Sequence, residues 1–184
     1  MKLYHFSEEP DISIFRPRVK ANRQDMPPVV WAIDETHAFT FYFPRNCPRI
    51  VYQRTADMTE AQVQTFFGGT SSNTVITVET RWYEAIRSMT MYRYELPPAT
   101  FRLFDSYAGY YISEETVEPI KVTAIPNLLG ELMELDIDVR FTPDLHPLRD
   151  AILQSGIPDF GIHRFIFAEV PQAKTVMSNI PKKE

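Results

Sequence analysis

VVWAIDETHAFTFYF, residues 29–43, opens on a near-continuous apolar run of the kind a buried strand carries. It passes through Asp34, a residue suited to capping a helix, into an aromatic segment that reads as a short helix stopped by Pro44. A buried strand feeding a helix needs a sheet with helices packed on it, and the flanking sequence supplies both. Upstream, KLYHF at 2–6 is a short alternating strand bearing His5, ended by the polar SEEPD. Between the two strands lies IFRPRVKANRQDMPP (14–28), basic through Arg16, Arg18, Lys20 and Arg23 and kept irregular by Pro17, Pro27 and Pro28. It reads as a surface loop.

Downstream, PRNCPRIVYQRT turns into a strand with Ile50 and Tyr52 on one face and Val51 and Gln53 on the other. TEAQVQTFF is a helix with a capping-box outline in Thr59 and Gln62, closed by Gly68 and Gly69. TVITVET and MYRYEL are strands with a helical turn, RWYEAIRSM, between them. FRLF is a short extended piece, and GYYISEETVEPIKVTAI supplies two strands around a bend. NLLGELMELDI and LHPLRDAILQSG read as late helices, the second stopped by Gly156, and HRFIFAEV as a closing strand. Strands first, helices inserted and helices late give an α+β domain over residues 1–170, followed by a C-terminal tail at 171–184 that frays or docks weakly.

Composition narrows the function. With 184 residues, 44% of them hydrophobic and 23% charged, the chain fits one globular domain and buries enough surface to need neither disulfides nor a structural metal. Lys plus Arg number 19 against 24 for Asp plus Glu, and the net charge of -5 argues against bulk nucleic-acid binding while leaving room for a local basic cleft. Cys47 is the only cysteine, which excludes an intramolecular disulfide and the thiolate zinc signatures and suits a reducing compartment. There is no signal-peptide core and no apolar run long enough to span a bilayer, so a cytoplasmic protein without membrane attachment is expected. Glycine-rich phosphate loops are absent.

Few residues carry chemistry on their own. His5, beside Tyr4 and Ser7 in a strand, suits acid–base work or a hydrogen bond to a ligand, and equally a satisfied core histidine. His37, His146 and His163 are scattered without metal-helix spacing, so no metal site is expected. Cys47 has no sequence-local base and reads as a small half-buried thiol, although Arg45 and Arg49 flank it. Those arginines, in two Pro-Arg steps, could grip a phosphate or carboxylate, or merely stop the helix and pair with acids. Arg16 and Arg18, in the similar frame RPR, join the same anion site if the loop folds back.

LYHFSEEPDISIF, VVWAIDETHAFTFYFPRNCPRI and GYYISEETVEPIKV together resemble a bacterial family of unknown function of about this length. More distantly, the order LYHFS, then VVWAID with HAFTFYF, then YYISEETVEPI resembles the ADP-ribosyltransferase fold of poly-ADP-ribose polymerases, bacterial toxins and RNA 2'-phosphotransferases. The resemblance implies a split mixed/antiparallel sheet with peripheral helices, and NAD or a related nucleotide as ligand. It places His5 at the histidine that hydrogen-bonds the nicotinamide ribose, with Ser7 close behind. Tyr42 falls near the aromatic that stacks on nicotinamide, with Trp31 and Ala32 lining the wall. The family's catalytic glutamate falls on Tyr110, or on Gly109 if the register slips by one, and Phe6 replaces the glycine after the histidine. A phenol cannot steady an oxocarbenium-like transition state as a carboxylate does. The RNA 2'-phosphotransferases work without that glutamate, using arginines and a histidine on phosphate, and Arg16, Arg18, Arg45 and Arg49 suit that variant. Two other readings stand beside this one: an interaction module without nucleotide or turnover, and an acid–base hydrolase using His5 with Glu8 or Glu9. The oligomeric state is open.

Overall fold

Strands form where β-branched and aromatic residues alternate, and helices where capping residues meet an apolar stripe. The computed structural model describes residues 1–20 and 23–170. In chain order the elements are β1 (Leu3–Ser7), β2 (Val30–Asp34), β3 (Arg49–Gln53), α1 (Glu60–Phe67), β4 (Thr74–Glu79), α2 (Tyr83–Ser88), β5 (Met91–Leu96), β6 (Arg102–Asp105), β7 (Tyr110–Ser113), β8 (Lys121–Ile125), α3 (Leu128–Glu134), β9 (Ile137–Thr142), α4 (His146–Ser155) and β10 (Phe160–His163). Six strands make an antiparallel sheet in the order β6-β7-β2-β1-β5-β8. Four make a mixed sheet in the order β10-β3-β4-β9, parallel only between β4 and β9. The fold is α+β with two sheets.

Alternation along β3 decides how the sheets are packed. Ile50 and Tyr52 point to one side, where Phe66 and Phe67 of α1 and Ile152 of α4 cover them. Val51 points to the other, into a core shared with Ile76, Val78, Phe43 and, from the six-stranded sheet, Met91 and Ile125. The far face of the six-stranded sheet buries Leu3, Ala32, Tyr94 and Leu96 beneath Phe15 and Val117. The capping box of α1 forms as its sequence predicts, Thr59 and Gln62 each satisfying the other's backbone N–H.

Three expectations need correction. The aromatic segment after β2, read as a short helix, is a single 3-10 turn over Ala38–Phe41. The closing strand is Phe160–His163 and not 163–170, because Arg164 takes a left-handed backbone (φ 54) that ends the ladder and starts a 3-10 turn at Phe165–Phe167. The basic segment 14–28 is more than a surface loop: Phe15 is buried and bridges Val117, and Arg18 bridges Val29, which folds the segment back over the sheet. β9 was missed, although Ile137, Val139 and Phe141 alternate cleanly with polar residues. The predicted tail, 171–184, lies outside the described residues.

Candidate functional site

β1 and β2 part company halfway along. β1 pairs with β5 over its full length, Leu3 to Ser7, and β2 pairs with β7 from Val30 to Ile33. Between β1 and β2, however, the ladder holds only at Leu3/Asp34 and Tyr4/Ile33. Beyond that point the backbone of β2 needs another partner, and His5 supplies it: Nδ1–H donates to the Trp31 carbonyl at 2.9 Å. Because a carbonyl can only accept, this bond fixes the tautomer and leaves Nε2 as an acceptor. Phe15 packs against the imidazole, 4.7 Å between ring centroids.

Cations gather around this opening. Burial and the repulsion of Arg18, Lys20 and Arg45 push His5 down to about 4 against the pull of the Trp31 carbonyl, so the ring is neutral at neutral pH. The Lys20 ammonium sits 3.8 Å from the centre of the Trp31 indole. Loss of water there, with Arg164, Arg18, Arg23 and Arg45 nearby, lowers Lys20 to about 8. Trp31 in turn meets Phe104 at 5.1 Å and Tyr110 at 5.9 Å. Tyr110 opens β7, and its phenol is raised by burial although Arg49 and Arg164 favour the ionised form.

The second sheet contributes the deepest charge. Arg49 is 5% exposed at the start of β3, directly opposite His163 in β10. Its Nη1 donates to the Cys47 carbonyl at 3.0 Å, and its buried Nε donates to nothing. Burial lowers Arg49 to about 10. His163, half-buried beside Arg49 and Arg164, falls to about 3, chiefly through loss of water. Among the described residues, Arg18, Lys20, Arg45, Arg49 and Arg164 form no ion pair with any carboxylate. In a chain of net charge -5, Arg18, Lys20 and Arg45 lie within electrostatic reach of His5, and Arg49 and Arg164 within reach of His163.

Of the residues singled out from the sequence, His5 bonds the Trp31 carbonyl and lies within electrostatic reach of Arg18 and Arg45, while the Trp31 ring meets Tyr110, which lies within reach of Arg49; the His5 ring packs on Phe15 on the Leu3 face of the sheet, and the Trp31 and Tyr110 rings lie on the Ile33 face. Tyr42 is buried in the core between the sheets, its hydroxyl accepting from Arg93 at 3.4 Å, and its neighbour Phe41 is the ring that reaches Tyr110, at 6.3 Å. Ala32 lies in the core on the far face of the sheet, and the Ser7 hydroxyl accepts from Glu9 N–H in a turn. Arg16 is exposed and, among the described residues, makes no hydrogen bond or ion pair. The Pro-Arg frame does not act as one clamp, since Arg45 is exposed and Arg49 buried. Cys47 is fully buried, and burial outweighs Arg49 in pushing its thiol up to about 12. The register at Tyr110 is locked by Gly109, whose positive φ (68) lets its backbone pass where a Cβ would lie 2.3 Å from His37 Nδ1 and 2.8 Å from Asp34 Oδ1. Phe6 stacks on Phe41 at 5.6 Å.

Sequence reasoning gave no site role to Lys20, Phe104, His163 or Arg164. Lys20 was visible as part of a basic segment. The other three become neighbours only through strand pairings across most of the chain. Among the described residues, no group of His, Cys, Asp and Glu could hold a metal ion, and no helix is long and apolar enough to cross a membrane.

A family model matches residues 4–168, and the chain belongs to that family, DUF6886, a family of unknown function. No curated protein and no solved structure matches it.

Proposed function

We propose that this member of the family binds NAD or a related nucleotide where β1 and β2 part, on a scaffold like that of the ADP-ribosyltransferases. The observation that carries the reading is the split ladder bridged by a neutral His5 and ringed by cations without carboxylate partners. His5 Nε2 is left to accept from a ribose hydroxyl. The Trp31 indole, with Lys20 on one face, offers an apolar wall beside a positive charge, and Arg18 and Arg45 lie within electrostatic reach of His5 to hold phosphate. The side-by-side placement of β1, β2 and β7, with His5, Trp31 and Tyr110 on them, supports the same reading.

Tyr110 argues against ADP-ribosyl transfer. Its phenol is raised above its ordinary value and stays neutral, so it cannot place a negative charge against a developing oxocarbenium. Binding without that transfer is therefore the reading. If there is turnover, the groups present suit phosphoryl chemistry, in which arginines hold phosphate and a neutral imidazole moves a proton.

The test is calorimetric titration of the protein with NAD and with ADP-ribose. One site is expected, and His5→Ala should weaken it roughly five- to tenfold, as loss of one ligand hydrogen bond would. Absence of heat with both ligands contradicts the reading and moves the weight to an interaction module without a nucleotide.

A further inference from the structure

We propose that Arg49, His163 and Arg164 form a subsite for a phosphate monoester at the seam between the two sheets. The antiparallel pairing of β3 with β10 sets Arg49 opposite His163, so their side chains rise from the same face as neighbours. His163 leans back over Gly161, where an added Cβ would come within 2.7 Å of Nε2, so the absence of a side chain at 161 makes room for the ring. Arg164 follows at once in a left-handed conformation that non-glycine residues avoid. That turn ends the strand beside two other basic groups.

Arg49 itself points to a ligand. A guanidinium offers five N–H donors, and here one Nη1 bond to the Cys47 carbonyl is the only one used among the described residues. A buried cation with no counter-charge is costly unless something supplies one. The titratable groups near enough to favour its charge are the Cys47 thiol and the Tyr110 phenol. Burial raises both, so neither is an anion at neutral pH. Glu79, the carboxylate buried on the adjacent strand, is engaged by Arg81 and by the Glu169 backbone N–H.

The charge count selects the ligand. Arg49 and Arg164 act together on His163 and Tyr110, and Arg164 also acts on Lys20. One buried guanidinium, one exposed guanidinium and a nearby ammonium suit a dianion better than the single charge of a carboxylate or phosphodiester. A dianion would also favour protonation of His163 and turn it into a further donor. Trp31, in contact with both Lys20 and Tyr110, links this subsite to the parted strands. The inference rests on the nucleotide reading only for the rest of the ligand: the monoester would be a terminal or branching phosphate of the nucleotide held at His5.

The experiment uses inorganic phosphate as the probe, titrated at constant ionic strength against chloride, with the thermal midpoint and the Arg49 Nε–H resonance as readouts. Phosphate is expected to raise the midpoint and shift that resonance, and Arg49→Met should weaken the response roughly tenfold or more. Arg164→Gly, which keeps the left-handed turn, should weaken it as well and guards against a folding defect in the first variant. NADP, which carries a monoester, should bind more tightly than NAD, and Arg49→Met should weaken NADP binding by a larger factor than NAD binding. No response to phosphate, or a response unchanged in both variants, overturns the subsite even if NAD binds through His5. A phosphate response that depends on Arg49, with neither dinucleotide bound, upholds the subsite and overturns the nucleotide reading.

Discussion

Two charges are buried at the same end of the four-stranded sheet and are treated in opposite ways. Glu79, the last residue of β4, is 0% exposed, and both its oxygens are occupied: Arg81 Nε donates to one at 2.8 Å and the Glu169 backbone N–H to the other at 2.7 Å. Arg49, the first residue of β3, is 5% exposed and, among the described residues, has one carbonyl acceptor and the Phe43 ring at 5.3 Å, with no carboxylate. Both are expensive to remove from water. The first is compensated from within the chain, which is how a fold treats a charge that serves its own stability. The second is left for something outside the chain to compensate, and the neutral histidines and unpaired cations extend the same pattern from His163 to His5.

The largest expected effect comes from acid. His5 and His163 stand at about 4 and about 3, below the ordinary 6.5, so the unfolded chain binds more protons than the native one between those values. Stability is full above about pH 6.5 and is lost as pH falls towards 4, on the order of 2 kcal/mol from each histidine given their partial exposure. Urea unfolding at pH 7, 5.5 and 4 checks this, and His5→Gln or His163→Gln should each flatten the slope. A slope unchanged in both variants would erase the contrast between the two regions.

Glu79→Gln comes next. Losing a compensated buried charge should cost about 2 kcal/mol, less than for a fully buried pair because Arg81 is half exposed. Arg49→Met is expected to have the opposite sign, raising the unfolding free energy by about 1 kcal/mol without added anion, because an uncompensated charge gives way to an apolar side chain. Chemical denaturation of the two variants beside the parent sets these signs against each other. The smallest effect is on ligand binding. Lys20, lowered to about 8, carries its charge below that pH and loses it above, so affinity for an anionic nucleotide should fall severalfold between pH 7 and 9. Lys20→Met should bind weakly at both.

Much of the architecture was legible locally. Thr59 with Gln62, the alternation of β3 and Gly156 (φ 68) each report their own geometry within a few residues. The errors came where a single backbone angle or a distant pairing decides. Arg164 ends β10 through a left-handed conformation that nothing in HRFIF announces. The 3-10 turn after β2 brings Phe41 to Tyr110 and buries Tyr42, a choice that aromatic composition alone does not reveal. Half of the cleft was visible as basic residues around His5. The other half, His163 and Arg164 against Arg49, depends on β10 pairing with β3 across more than a hundred positions, which no local pattern encodes.

The most direct measurement is the thermal midpoint of the parent and of Arg49→Met, each with and without phosphate at fixed ionic strength. A guanidinium left bare for an external anion predicts that the variant starts at or above the parent and does not respond, while the parent rises with phosphate. A variant that melts well below the parent in the absence of phosphate, with a parent indifferent to the anion, would mean that Arg49 is a structural residue like Glu79 and would contradict the account.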